Sequence, residues 1–234
     1  MAEKEEEIVN GIDIDLTTRA DFDSDEEYYF GEFLKELIDY GVILWANKNL
    51  LPIQLSSPIK HKFTRVLATK EKEEEQHIHR EHVYTPDFNI EFNPKYKDVF
   101  YSLFGDGRKF KGQNIPFLTN RHDAPAATIE LKGSFIKQDE QRAMSLNLKW
   151  VFDKWQLNVQ LVKVPNIFKD TFTPQAYMDD MVYKRDNGPR GIKAGDSKLN
   201  YKPKTIDEYV EELDAMVVKV AQSKPEEDPQ SELL

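Results

Sequence analysis

Tyr84-Thr85-Pro86-Asp87-Phe88 and Ile129-Glu130-Leu131-Lys132-Gly133 are the two stretches whose reading decides the fold. Each sets charge inside or at the end of an apolar, β-prone run, where a strand that only had to pack would not carry it. Side chains two apart in a strand share a face, so Glu130 and Lys132 project together while Leu131 turns to the core. If the segment holding Asp87 runs alongside, a second carboxylate joins them. The group then offers hard oxygen ligands for Mg²⁺ beside an ammonium. Pro86 cannot donate to a strand ladder, so an edge, a bulge or a bend is expected there, and such an irregularity can aim Asp87 out of the sheet.

Upstream, Ser24 and Glu27 form a capping-box pattern at the head of a helix. Phe30, Phe33, Leu34, Leu37 and Ile38 follow on one stripe, and Gly41 supplies the stop. Glu27 continues that stripe, so its carboxylate faces the core or a cleft as well as the cap. Val42 to Trp45 reads as a buried strand. Lys60 to Thr69 and His77 to Phe92 read as two strands around a solvated turn, Lys70 to Glu75. His77 and His79 share a face that His82 does not, which argues for surface histidines over a metal cluster.

Between the two motifs, Pro94 to Phe104 reads as a short helix ended by Gly105, and Arg108, Lys109 and Lys111 mark a basic loop. Ala127 to Leu131 is the strand carrying Glu130, and an amphipathic helix follows over about 138–154. Leu157 to Val162 alternates as a strand. Pro165 and Pro174 then break the regular pattern. Lys184, Arg185, Arg190 and Lys193 gather around Gly188, Gly191 and Gly195, a composition suited to following a phosphate backbone and equally to an ordinary linker. Thr205 and Glu208 open a last amphipathic helix.

Pro86-Asp87 followed by the apolar-flanked Glu130-Leu131-Lys132 resembles the catalytic core of the PD-(D/E)XK nuclease superfamily. Phe22-Asp23-Ser24-Asp25-Glu26-Glu27 is similar to the Phe-Asp-Ser-x-x-Glu opening of small phage-type endonucleases of that superfamily. In related resolvases and transposon end-cleaving nucleases a first-helix glutamate joins the active site. Glu27 is the positional match here, with Glu26 beside it. The resemblance runs from about Phe22 to Val164 and implies an α/β, restriction-endonuclease-like αβββαβ core, a mixed central sheet flanked by helices. A C-terminal basic loop and helix follow that core.

The resemblance also implies a Mg²⁺-dependent endodeoxyribonuclease, with Mn²⁺ as a substitute ion. Asp87 and Glu130, helped by the Leu131 carbonyl, would hold metal. Glu27 would hold or orient a second ion or its water, and Lys132 would position or activate the attacking water. Arg108, Lys109, Lys111, Lys184, Arg185, Arg190 and Lys193 would contact DNA, branched or duplex. The expected context is phage-type recombination, Holliday-junction resolution or genome processing in the cytoplasm, that of the host if the protein is phage-encoded. A resolvase would be a homodimer, because two strands must be cut symmetrically. The 43-residue gap from Asp87 to Glu130 exceeds that of compact members, which leaves Glu91 as the alternative acidic ligand.

The net charge opposes a nucleic-acid partner, but its uneven distribution permits phosphate contact and equally suits an ordinary solvated surface. The chain has 234 residues, a net charge of -10 and no cysteine, which excludes disulfides, zinc thiolates and thiol nucleophiles. Residues 1–29 carry 2 basic and 11 acidic side chains and residues 206–234 carry 2 and 9, leaving 28 basic against 22 acidic between them. The acidic ends hide a mildly basic body. The expected organisation is an acidic flexible arm over 1–20, a nuclease core over 21–170 with an insertion at about 93–126, a basic loop region over 171–204, an amphipathic helix over 205–222 and a disordered acidic tail over 223–234. No apolar run reaches membrane-spanning length. Two other classes fit less of this pattern: a non-catalytic DNA-binding protein that keeps the nuclease fold, and a protein-interaction module whose Glu-x-Lys is an exposed ion pair.

Overall fold

A computed structural model of the chain describes residues 18–48, 50–103, 117–119, 125–132, 138–185 and 191–223. The expected first helix forms as α1 (Asp25–Asp39), with Ser24 accepting the Glu27 backbone N–H and Phe30, Phe33, Leu34 and Leu37 buried. Its end is a Schellman turn. Gly41, at φ 68°, donates to the Ile38 carbonyl, and Val42 donates to that of Leu37.

The chain continues through β1 (Ile43–Asn47), β2 (Ile53–Ser56), β3 (Ile59–Val66), β4 (Glu71–His79), β5 (His82–Tyr84) and β6 (Phe88–Phe92). Next come β7 (Tyr101–Leu103), β8 (Phe117–Thr119), β9 (Ala126–Lys132), α2 (Gln138–Trp155) and β10 (Val159–Lys163). Three helices follow, α3 (Val164–Asp170), α4 (Gln175–Asp180) and α5 (Ile206–Ser223).

The fold is mixed α/β. Its central sheet has the order β1-β6-β9-β10, antiparallel across the first two pairings and parallel between β9 and β10. A parallel neighbour requires a crossover, which α2 supplies. Phe88, Ile90, Ile129 and Val162 bury one face of this sheet under α1 in the main core. On the other face, Val159 and Tyr84 meet Val151 of α2 and Leu55 of β2 in a smaller cluster. Helices therefore flank both faces. β8 is tied to the sheet edge through the Leu118 N–H, which donates to the buried Gln160 carboxamide at 2.7 Å.

Several local expectations are corrected. The acidic run Glu71 to Glu75 is strand, not turn: the reversal lies at Leu67–Lys70, and two acids of β4 reach cations of β3, Glu75 to Lys60 at 2.6 Å and Glu74 to Arg65 at 3.8 Å. These exposed pairs favour the paired form modestly, against the like charges Arg65 and Lys72 that the register sets opposite each other. His77 to Phe92 is three strands in three sheets instead of one, broken at Arg80-Glu81 and again at Pro86. Pro94 to Tyr96 is a single 3-10 turn, after which the left-handed Asp98 (φ 68°) redirects the chain into β7 where a helix was expected to continue. Pro165 begins α3 rather than breaking the pattern, since a first-turn residue needs no N–H donor.

α5 docks on the body through Tyr209 and Leu213, both buried, and through Asp214, which accepts from Lys95 and Tyr96. Residues 1–17 of the expected acidic arm, Gly105, Gly133, the cations Arg108, Lys109, Lys111 and Arg190, and the tail from 224 lie outside the described residues. Among the described residues no helix is long and apolar enough to cross a membrane.

Candidate active site

β9 runs between β6 and β10, and its alternation sorts the second motif as the sequence requires. Ala127, Ile129 and Leu131 enter the main core, while Thr128, Glu130 and Lys132 occupy the opposite face. Glu130 is nonetheless only 8% exposed, a charged side chain held inside the protein. Both its oxygens are taken. Oε1 accepts from the Lys132 ammonium at 2.6 Å, and Oε2 from the Tyr84 hydroxyl at 2.7 Å.

Asp87 arrives from the neighbouring strand. The regular β6–β9 ladder begins only at the Phe88–Ile129 pair, and Pro86 has no N–H to extend it. The Asp87 N–H still donates to the Ile129 carbonyl at 3.0 Å, and its carboxylate supplies the next acceptor, with Oδ2 accepting the Leu131 backbone N–H at 2.6 Å. One acid from each motif thus enters a shared electrostatic neighbourhood. Burial, and next the Glu130 charge, push the Asp87 carboxyl up to about 7, against the pull of the Leu131 N–H and of Lys132. The same two causes raise the Tyr84 phenol well above its usual range.

The charge of Glu27 also raises Asp87, so the α1 terminus belongs to the same electrostatic neighbourhood. Its Oε1 accepts from the Ser24 hydroxyl at 3.3 Å and its Oε2 pairs with Lys48 at 3.2 Å. Glu26 forms none of these contacts among the described residues. Glu91, the alternative ligand, lies at the far end of β6 and accepts from the Trp45 indole N–H at 2.5 Å. Asp87 is the acid whose carboxyl the Glu130 charge raises.

Sequence reasoning missed Tyr84 and Lys48. Tyr84 stood inside the first motif, but only the fold turns its hydroxyl to a residue 46 positions away. Lys48 carries no pattern at all. It follows β1, and its ammonium reaches the α1 terminus because Asn47 ends the strand there.

The expected DNA contacts are more dispersed. Lys184 pairs with Asp180 at 3.3 Å, Arg185 is exposed, and the Lys193 backbone N–H donates to Asp196. His77 and His79 stand on the exposed β3–β4 ribbon, and His82 bonds Asn147 and packs on Trp150.

The donors suit a hard divalent cation: Asp87, Glu130 and Glu27 are carboxylates, and burial, followed by the Glu130 and Glu27 charges, raises the Asp87 carboxyl. Among the described residues no three acids or histidines are already gathered into a ligand cluster. Lys132, Tyr84 and Lys48 occupy carboxylate oxygens that an ion would take. No protein-family model, curated protein or solved structure matches the chain.

Proposed function

We propose that this chain is a metal-dependent DNA endonuclease with a PD-(D/E)XK-type site. The observation that carries the reading is the contact of Asp87 with the Leu131 N–H, 44 residues on, which brings the acid of the first motif to the backbone of the second, within reach of the Glu130 and Lys132 charges. A surface Glu-x-Lys pair would not need a third charged residue at that position, nor an acid buried against its own repulsion. The succession of α1, the antiparallel β1, β6 and β9, the crossover α2 and the parallel β10 supports a restriction-endonuclease-like core.

Asp87 and Glu130 would hold Mg²⁺ or Mn²⁺ with the Leu131 carbonyl, and Glu27 would serve a second ion or its water. Such an ion, when bound, polarises the phosphate and acidifies water. Lys132 donates to the attacking water and stabilises the charge that grows on the phosphorus oxygens. The water oxygen bonds to phosphorus as the ester P–O bond breaks; the attacking water releases one proton to solvent and the leaving alkoxide takes one up from solvent, so the exchange balances. No covalent enzyme intermediate is required.

The test compares linear duplex and four-way-junction DNA incubated with the protein, with and without Mg²⁺, using Asp87→Asn as control. Metal-dependent cleavage lost in the variant is expected, and preference for the junction would favour phage-type branch resolution by a dimer. Binding without cleavage in Mg²⁺ or Mn²⁺ would turn the reading to a non-catalytic DNA-binding protein, and no binding to an interaction module.

A further inference from the structure

Lys48 is the cation of this neighbourhood that no motif accounts for. It is 15% exposed, and its ammonium pairs with Glu27 at 3.2 Å and with Asp23 at 3.8 Å. It also donates to the Asp21 carbonyl at 3.0 Å and stands 5.0 Å from the Phe22 ring centroid. Glu27 is 13% exposed, so the pair is largely withdrawn from water and its attraction is weakly screened. The Asp21 carbonyl, the shortest of these contacts, is enough to fasten β1 to the head of α1. The shorter carboxylate contact is to Glu27, the acid whose charge reaches Asp87.

We infer that Lys48 is an exchangeable counterion. It holds the Glu27 carboxylate in the metal-free protein, yields that oxygen to the divalent cation, and then engages a phosphate oxygen of the DNA. The inference rests on the nuclease reading. An ammonium on a long flexible stem is suited to such a move, since it can keep the Asp21 carbonyl or leave it for a stronger acceptor. The Lys48 ammonium takes an acceptor position on Glu27 Oε2, and its positive charge repels a divalent cation brought to the same carboxylate. Metal and lysine therefore compete, and the competition links metal loading to substrate binding.

Calorimetric titration of Mn²⁺ into the full chain, without DNA, tests the exchange. Lys48→Met is expected to bind Mn²⁺ roughly 5- to 20-fold more tightly than wild type, and Lys48→Arg to stay near wild type. Lys48→Gln, which keeps a donor for Asp21 and Glu27, provides a second neutral variant if Lys48→Met folds poorly. In a Glu27→Gln background the neutral substitutions are expected to change Mn²⁺ affinity little. Duplex binding in Ca²⁺ should meanwhile weaken about 3- to 10-fold in the neutral variants, through loss of a phosphate contact. Equal or weaker Mn²⁺ binding by both neutral variants overturns the exchange, and unchanged DNA affinity overturns the phosphate role; either leaves the nuclease reading standing. Failure of wild type to bind Mn²⁺, with Asp87→Asn indistinguishable from it, would remove both.

Discussion

Asp87 Oδ2 accepts the Leu131 backbone N–H at 2.6 Å, so a carboxylate does the work of a missing strand rung one residue from Glu130. The cost is a buried charge beside another, which raises the Asp87 carboxyl to about 7. In the unfolded chain it returns to the ordinary carboxylate range near 4. The folded state therefore binds the extra proton, and the stability it confers is full below about pH 4 and lost as pH rises through about 7. Asp87→Asn should stabilise the metal-free protein at pH 8, by at most about 4 kcal/mol and by roughly 1–3 after relaxation. Urea unfolding in EDTA at pH 5 and pH 8 checks this: the gain should be large at pH 8 and small at pH 5.

That relationship also shows what the sequence could and could not tell. Alternation alone set Glu130 and Lys132 on one face and Leu131 in the core, because a strand's period is a local property. The stripe from Phe30 to Leu37 fixed α1 for the same reason, and the C-terminal glycine fixed its end. Lys48 and Tyr84 were invisible, since their roles depend on which strand ends meet in space. The β3–β4 ribbon was misread because an acidic run resembles a solvated turn until a basic strand is laid against it.

Tyr84 donates to Glu130 Oε2 at 2.7 Å, and both residues are buried. Tyr84→Phe should cost about 1–3 kcal/mol, because the carboxylate oxygen keeps its desolvation and loses its donor. Glu130→Gln in the same chain should recover part of that loss. A double-mutant cycle by chemical unfolding measures the coupling, and additive single effects would refute it.

The β3–β4 ribbon lies outside both cores. Nearly all of its residues are exposed, and Phe63 and Val66 contribute to neither hydrophobic cluster. Ile59 and His79 are paired, so residues 60–78 can be replaced by a two-residue Asn-Gly turn. The shortened chain should unfold within a few degrees of the parent, since a lone two-stranded hairpin adds little to global stability. A fall of more than about 8 °C, equivalent to several kcal/mol, would mean that the ribbon supports the body.

Lys132 is the remaining lever on the buried acids. Its ammonium is 2.6 Å from Glu130 and lowers the Asp87 carboxyl that Glu130 raises. Lys132→Met leaves Glu130 with Tyr84 as its remaining donor among these contacts and lets the two acids repel without a cation between them. The Asp87 carboxyl should then titrate above about 7, visible as a shift in its carboxyl ¹³C midpoint. Destabilisation should be about 1–3 kcal/mol at pH 8, below the cost of breaking a fully buried pair because Lys132 is partly exposed. It should shrink towards pH 5, where Asp87 is protonated in both proteins. If Lys132 also orients the attacking water, cleavage should fall by about 10²-fold or more while duplex binding in Ca²⁺ survives. A Lys132→Met protein that cleaves at the wild-type rate yet shows the shifted Asp87 would confine Lys132 to charge balance and take it out of the chemistry.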